Sequence, residues 1–158
     1  METEKKILVA FDDSENAMRA VEQVAKIFNP TNKITLFSVI QDTIAYFNIN
    51  HPELTPYFLE QQAHFLEIDE KQKTIVEDAQ QKAKETLLAA GFKEENITVI
   101  AQGKVEGIAR DIIMEAESGY DVIVMGRRGL SGIEEFLLGS VSQKVLHSVK
   151  NISVLIVS

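Results

Sequence analysis

Cysteine is absent from the 158 residues, which removes disulfides, thiolate metal centres and a cysteine nucleophile together. Histidine is scarce, and His51, His64 and His147 form no close-spaced ligand pair. No apolar run approaches the roughly 18 residues of a membrane span. The opening METEKK has neither the basic start nor the apolar stretch of a secretory signal, so the cytoplasm is the expected compartment. Positive charge is also short: 16 Lys and Arg face 24 Asp and Glu, a formal net charge of −8. That balance opposes non-specific binding to nucleic acid or to an anionic membrane surface, so an anionic ligand must be held by local features.

What is present is ordinary globular material, 45% hydrophobic and 25% charged. The length suits a single domain over residues 1–158, able to bury roughly 70% of its unfolded surface. KKILVAF, Lys5 to Phe11, is a β-branched apolar run of the kind buried on both faces of a parallel sheet. After Asp12-Asp13-Ser14, the residues Ala17, Val21, Val24, Ala25 and Phe28 recur at helical spacing until NPTN stops them. KITLFSV, Lys33 to Val39, is a second strand, and Gln41 to about Pro56 is an excursion outside the sheet.

A helical pattern then runs from about Tyr57 to Ala90, with room for an interruption, and ends at Gly91. At this net charge its Lys, Glu and Gln surface is a solvated face rather than a nucleic-acid contact. NITVIA, YDVIVM and SVLIV supply three more strands, with helices over VEGIARDIIMEAESG and SVSQKVLHSV between them. Five strands alternating with helices predict an open α/β sheet, mainly parallel, with helices on both faces.

In such sheets ligands bind beyond the carboxyl ends of the strands, where strand order reverses. A dinucleotide fold would carry its glycines after strand one, but Asp12 and Asp13 stand there. Two carboxylates repel phosphate, although one can accept from a ribose hydroxyl or an adenine amine. The phosphate-friendly features lie after strand four. Gly126 and Gly129 permit positive φ and close backbone approach, and Gly139-Ser140 opens a helix whose free amides favour an anion. Ser140 and Ser142 add hydroxyl donors. The two loops together describe one nucleotide site.

GRRGLSGIEEFLLGS fits G-x2-G-x9-G-[ST], with Gly126, Gly129, Gly139 and Ser140 in place. Together with ILVAFDDSENAMRAV, YDVIVMGRRG and LLGSVSQKVLHSVKNISVLIV, it resembles the ATP-binding subgroup of the universal stress protein family over nearly the whole chain. The resemblance implies a Rossmann-like sheet of order 3-2-1-4-5 that binds ATP, with or without Mg²⁺. By position, Asp12 matches an aspartate at the adenosine portion and Val39 a backbone contact to adenine. Gly126 and Gly129 match the ribose and phosphate loop, and Gly139, Ser140 and Ser142 the phosphate cradle. It further implies a homodimer through the C-terminal strand at a sheet edge. Asp13 departs from the family, many of whose members have glycine in DGS; a carboxylate pointing inward there would weaken triphosphate binding.

Plainer roles fit several of these residues. Asp13 or Ser14 reads as a helix N-cap, and Gly132 as loop flexibility. Arg127 and Arg128 are candidate phosphate partners, but exposed-loop arginines usually point to water, so both alternatives stay open and neither enters the core site. His147 is expected to be structural, on the last helix among apolar residues, and Glu134-Glu135 a solvated pair. The chain has no Walker lysine, no nucleophile paired with a base and no SGGxDS, so the expected function is a nucleotide-dependent binding or regulatory module. Slow hydrolysis of bound ATP remains compatible with it. The alternatives are a weak ATP hydrolase or phosphotransferase, with Asp12 or Asp13 holding a metal, and a dimerisation module that has lost its nucleotide.

Overall fold

The computed structural model describes residues 3–41, 50–127 and 138–158. In chain order its elements are β1 (Lys6–Ala10), α1 (Glu15–Ile27), β2 (Lys33–Ile40), α2 (Thr55–Glu60) and α3 (Gln62–Ala89), then β3 (Ile97–Gly103), α4 (Ile108–Ala116), β4 (Val122–Gly126), α5 (Ser140–Ser148) and β5 (Ser153–Val157). The sheet has the order β3-β2-β1-β4-β5, and every neighbouring pair is parallel. This is the fold class and strand order expected from the sequence.

Side-chain alternation along each strand sorts the core into two layers. Ile7, Val9, Ile34, Leu36 and Val124 face α1 and α3, where Val21, Val24 and Leu87 meet them. Leu8, Phe37, Ile123 and Met125 face the opposite side, against Ile112 of α4 and Val145 of α5. Burial on both faces explains why these strands read as unbroken apolar runs.

Two boundaries differ from the sequence reading for identifiable reasons. The helix expected from Val105 begins at Ile108, because the buried Asp111 carboxylate takes the amides of Val105 and Glu106 (2.8 and 3.0 Å) and holds them in a loop. Gly107, with φ of 156°, makes the turn into the helix. The long helix starts at Thr55 and is interrupted at Gln61, then runs to Ala89 before Gly91 at φ of 99°. Its body-facing side becomes buried only from Val76 onward, through Gln80, Ala83 and Leu87.

A buried relay joins that helix to the sheet. Ser38 Oγ donates to the Phe11 carbonyl at 2.6 Å, and Gln80 Nε2 donates to both Ser38 Oγ and the Ile100 carbonyl at 2.9 Å. On the far side of β1, a Cβ at Gly126 would lie 2.9 Å from Asn16 Cβ and 3.0 Å from the Asn16 carbonyl carbon and oxygen. Glycine is therefore required there by the seating of α1 on β4. Gly126 does not have positive φ, so the close approach is made by Asn16 rather than enabled by a left-handed turn.

Replacing Gln80 with Leu keeps bulk but leaves the Ile100 carbonyl without its donor. It should lower stability to urea by about 1–3 kcal/mol, whereas Gln81→Leu on the exposed face should stay within about 0.5 kcal/mol. Gly126→Ala should cost a further, independent amount of about 1–3 kcal/mol, since α1 must shift to admit the methyl group. Denaturation midpoints at equal m-value check both.

Candidate nucleotide site

Strand order reverses between β1 and β4, and the chain opens a cleft at that place. β1 ends at Ala10, and the Phe11 amide still donates to the Phe37 carbonyl at 2.9 Å. The chain then turns through Asp12, Asp13 and Ser14. Asp12 Oδ1 accepts from the Ser14 amide (2.8 Å), and Ser14 Oγ caps α1 by accepting from the Ala17 amide (3.1 Å). Of the two capping candidates, Ser14 takes the role. The Ala17 amide in the first turn of α1 is thus satisfied within the turn.

β2 outlasts β1 on this side. The Phe37 carbonyl accepts from Phe11 of the β1 segment, while the Ile40 carbonyl accepts from Lys104, which follows β3. Alternation then turns the backbone amide and carbonyl of Val39 toward the place β1 has left, where the Phe11 carbonyl is already taken by Ser38 Oγ. Val39 therefore offers one backbone donor and one acceptor at the cleft wall.

The opposite wall comes from β4 and α5. The Arg127 amide donates to the Val157 carbonyl (2.7 Å), and the Gly139 amide to the Arg127 carbonyl (2.9 Å), so the chain leaves and returns at one neck. Gly139 is the N-cap of α5 with φ −60° and ψ 156°, and among the described residues no side chain caps that helix. Among the described residues the first-turn amides meet no capping side chain, at the positive end of the helix dipole. Ser142, expected as a hydroxyl donor to phosphate, is buried and gives its proton to the Gly126 carbonyl at 3.0 Å. It ties α5 to β4, with its oxygen lone pairs facing outward from that bond.

Between these walls lies a cleft of about 540 Å³, a size suited to a small organic ligand. Asp12, Val39, Gly126, Gly139, Ser140 and Ser142 all line it. Gly129 lies outside the described residues, as do Arg128, Gly132 and the Glu134-Glu135 pair. Arg127 is not part of the lining. His147 is exposed in the last turn of α5, a correction to its expected place among apolar residues; that helix buries Ser142 and Val145 instead.

The remainder of the lining was not anticipated from the sequence. Ile68, Asp69, Gln72 and Val76 reach over from α3, and Ile108 and Ile112 from α4. Their signal was present in outline, since Asp69, Gln72, Val76 and Gln80 follow the spacing of one helix face. Asp69 and Gln72 mark the stretch of that stripe where the helix leaves the core and borders the cleft. Among the described lining residues there are three carboxylates, Asp12, Asp13 and Asp69, and no lysine, arginine or histidine. Asp13 Oδ1 is buried and has no hydrogen-bond partner among the described residues.

The sequence profile of the universal stress protein family matches residues 4–158. The universal stress protein Sll1388 of Synechocystis sp. (strain ATCC 27184 / PCC 6803 / Kazusa) is 33% identical over 160 residues, covering 96% of each chain. Among solved structures, hypothetical protein MJ0577 is 26% identical with a TM-score of 0.74, over 97% of this chain and 94% of that one. A universal stress protein solved in complex with cAMP shares the fold at 22% identity and a TM-score of 0.59, over 99% of this chain and 98% of that one. With the profile spanning nearly every residue and the β3-β2-β1-β4-β5 sheet in place, the chain belongs to the universal stress protein family.

Proposed function

We propose that the protein is an ATP-binding module, acting in the stress response as a nucleotide-dependent regulatory or binding protein, with the 540 Å³ cleft as its nucleotide site. The observation that carries this reading is the unequal treatment of two helix starts on facing walls. α1 is closed by Ser14 and Asp12, while α5 has no side-chain cap. An anion gains less at the first, where Ser14 already takes the Ala17 amide, than at the second, whose start carries no side-chain cap among the described residues. The carboxylate of Asp12 and the backbone pair of Val39 suit the hydroxyl and amine donors of a nucleoside, and the Gly139–Ser140 turn suits phosphate. Gly129 belongs to the same proposed phosphate loop by its place in the motif. Mg²⁺ would accompany the phosphates as their counter-ion.

The partner side of the proposal is a homodimer through β5. That strand is a sheet edge. Ser153 and Val157 bond toward β4 through the Asp121 carbonyl and the Arg127 amide, so the backbone groups of Val154 and Ile156 face away from the sheet. SVLIV carries neither charge nor proline to guard that edge, which leaves it open to the same strand of a second copy about a two-fold axis.

Asp12→Ala should weaken ATP and adenosine by similar factors, about ten-fold each in calorimetry, because its contact lies at the nucleoside end. Gly139→Val, which puts a branched side chain beside the α5 amides, should remove ATP binding while sparing most of the adenosine affinity. Equal ATP affinity in a folded Gly139→Val protein would contradict the phosphate cradle. Val154→Pro removes one outward donor and leaves the β4 ladder intact, so sedimentation should move from dimer to monomer without unfolding. A wild-type chain that sediments as a monomer at tens of micromolar contradicts the dimer.

A further inference from the structure

We propose that Asp13 sets ligand selectivity in the cleft, favouring the nucleoside end of an adenine nucleotide and disfavouring free polyphosphate that arrives without a divalent cation. The inference rests on the adenine-nucleotide reading above and concerns a residue which that reading leaves unassigned. Three observations lead to it. Asp13 lines the cleft, and its Oδ1 is buried without a partner among the described residues. Within the turn Asp12 Oδ1 accepts from the Ser14 amide and Ser14 Oγ caps α1, and neither bond involves Asp13. The described lining holds two further carboxylates and no cationic side chain.

A carboxylate in the cleft wall gains from a ligand that brings donors to it. Ribose hydroxyls and the adenine amine are donors; an ionised phosphate has acceptors only. Asp13 therefore gains from a nucleoside and opposes each uncompensated phosphate charge. A divalent cation bound to the phosphates removes most of that opposition. Selectivity of this kind comes from a repulsive element, and the uncapped start of α5 supplies the competing attraction for phosphate on the facing wall.

The test compares ATP and adenosine binding to the full-length wild type, Asp13→Asn and Asp13→Glu by calorimetry, at low ionic strength, with EDTA and then with excess Mg²⁺. In EDTA, Asp13→Asn should raise ATP affinity about ten-fold while adenosine moves by less than about three-fold. Asp13→Glu, which restores the charge, should return the ATP-to-adenosine ratio to the wild-type value. Mg²⁺ should raise ATP affinity more in the wild type than in Asp13→Asn. A loss of structure alone would weaken both ligands together and leave the ratio unmoved. If the ratio is the same in wild type and Asp13→Asn, the selectivity role is overturned while nucleotide binding stands. If neither ligand binds any of the three proteins, the nucleotide reading itself fails and the selectivity falls with it.

Discussion

A buried run of hydrogen bonds from the Phe11 carbonyl through Ser38 Oγ to Gln80 Nε2, and on to the Ile100 carbonyl, connects the parts that form the cleft. Phe11 opens the turn after β1, Ser38 lies near the end of β2, Ile100 belongs to β3 and Gln80 to α3. In a low-dielectric interior these bonds are strong and their loss is expensive, so the four groups hold one arrangement. That arrangement keeps β1 short of β2 and exposes the Val39 backbone. It also draws the buried half of α3 against the sheet, so that Gln72 and Asp69 border the cleft about two and three turns before Gln80.

The second constraint is steric. Gly126 admits the backbone of Asn16 at a distance where any side chain would collide, and the Ser142 hydroxyl then bonds the Gly126 carbonyl. One glycine thus fixes the start of α1 from one side and the start of α5 from the other. Two helix N-termini are brought to the same crevice, with different treatment of their free amides. The asymmetry between a closed acidic turn and an open helix start gives the cleft its electrical direction without a cationic side chain among the described lining.

Most of the architecture was legible in the sequence because strands buried on both faces leave unbroken β-branched runs, and α1 leaves a regular stripe of Ala17, Val21 and Val24. The strand order followed from the resemblance carried by the glycine motif. The missing parts share one physical character, since they depend on contacts between residues far apart in the chain. Nothing local marks Asp111 as the acceptor for Val105 and Glu106, so the helical pattern alone starts α4 too early. Gln80 looked like one more polar residue of a solvated helix, although its partners lie on β2 and β3. Gly126 was read for the ligand it could admit, whereas its nearest neighbour is Asn16. Asp12, Gly139, Ser140 and Ser142 could be gathered because each sits at the end of a strand or the start of a helix, where topology directs it to the crevice, while Val39 came with the family resemblance.

The central claim is that an adenine nucleoside occupies the crevice between the β1 turn and the start of α5. Amide chemical shifts of isotope-labelled protein, followed during an adenosine titration, test it most directly. The account predicts saturable shifts concentrated at Asp12–Ser14, Val39–Gln41 and Gly139–Ser142, with the outer face of α3 and β3 around Glu77, Lys84 and Val99 unmoved. Shifts centred on that outer face, or no saturable shift at millimolar adenosine, would contradict it.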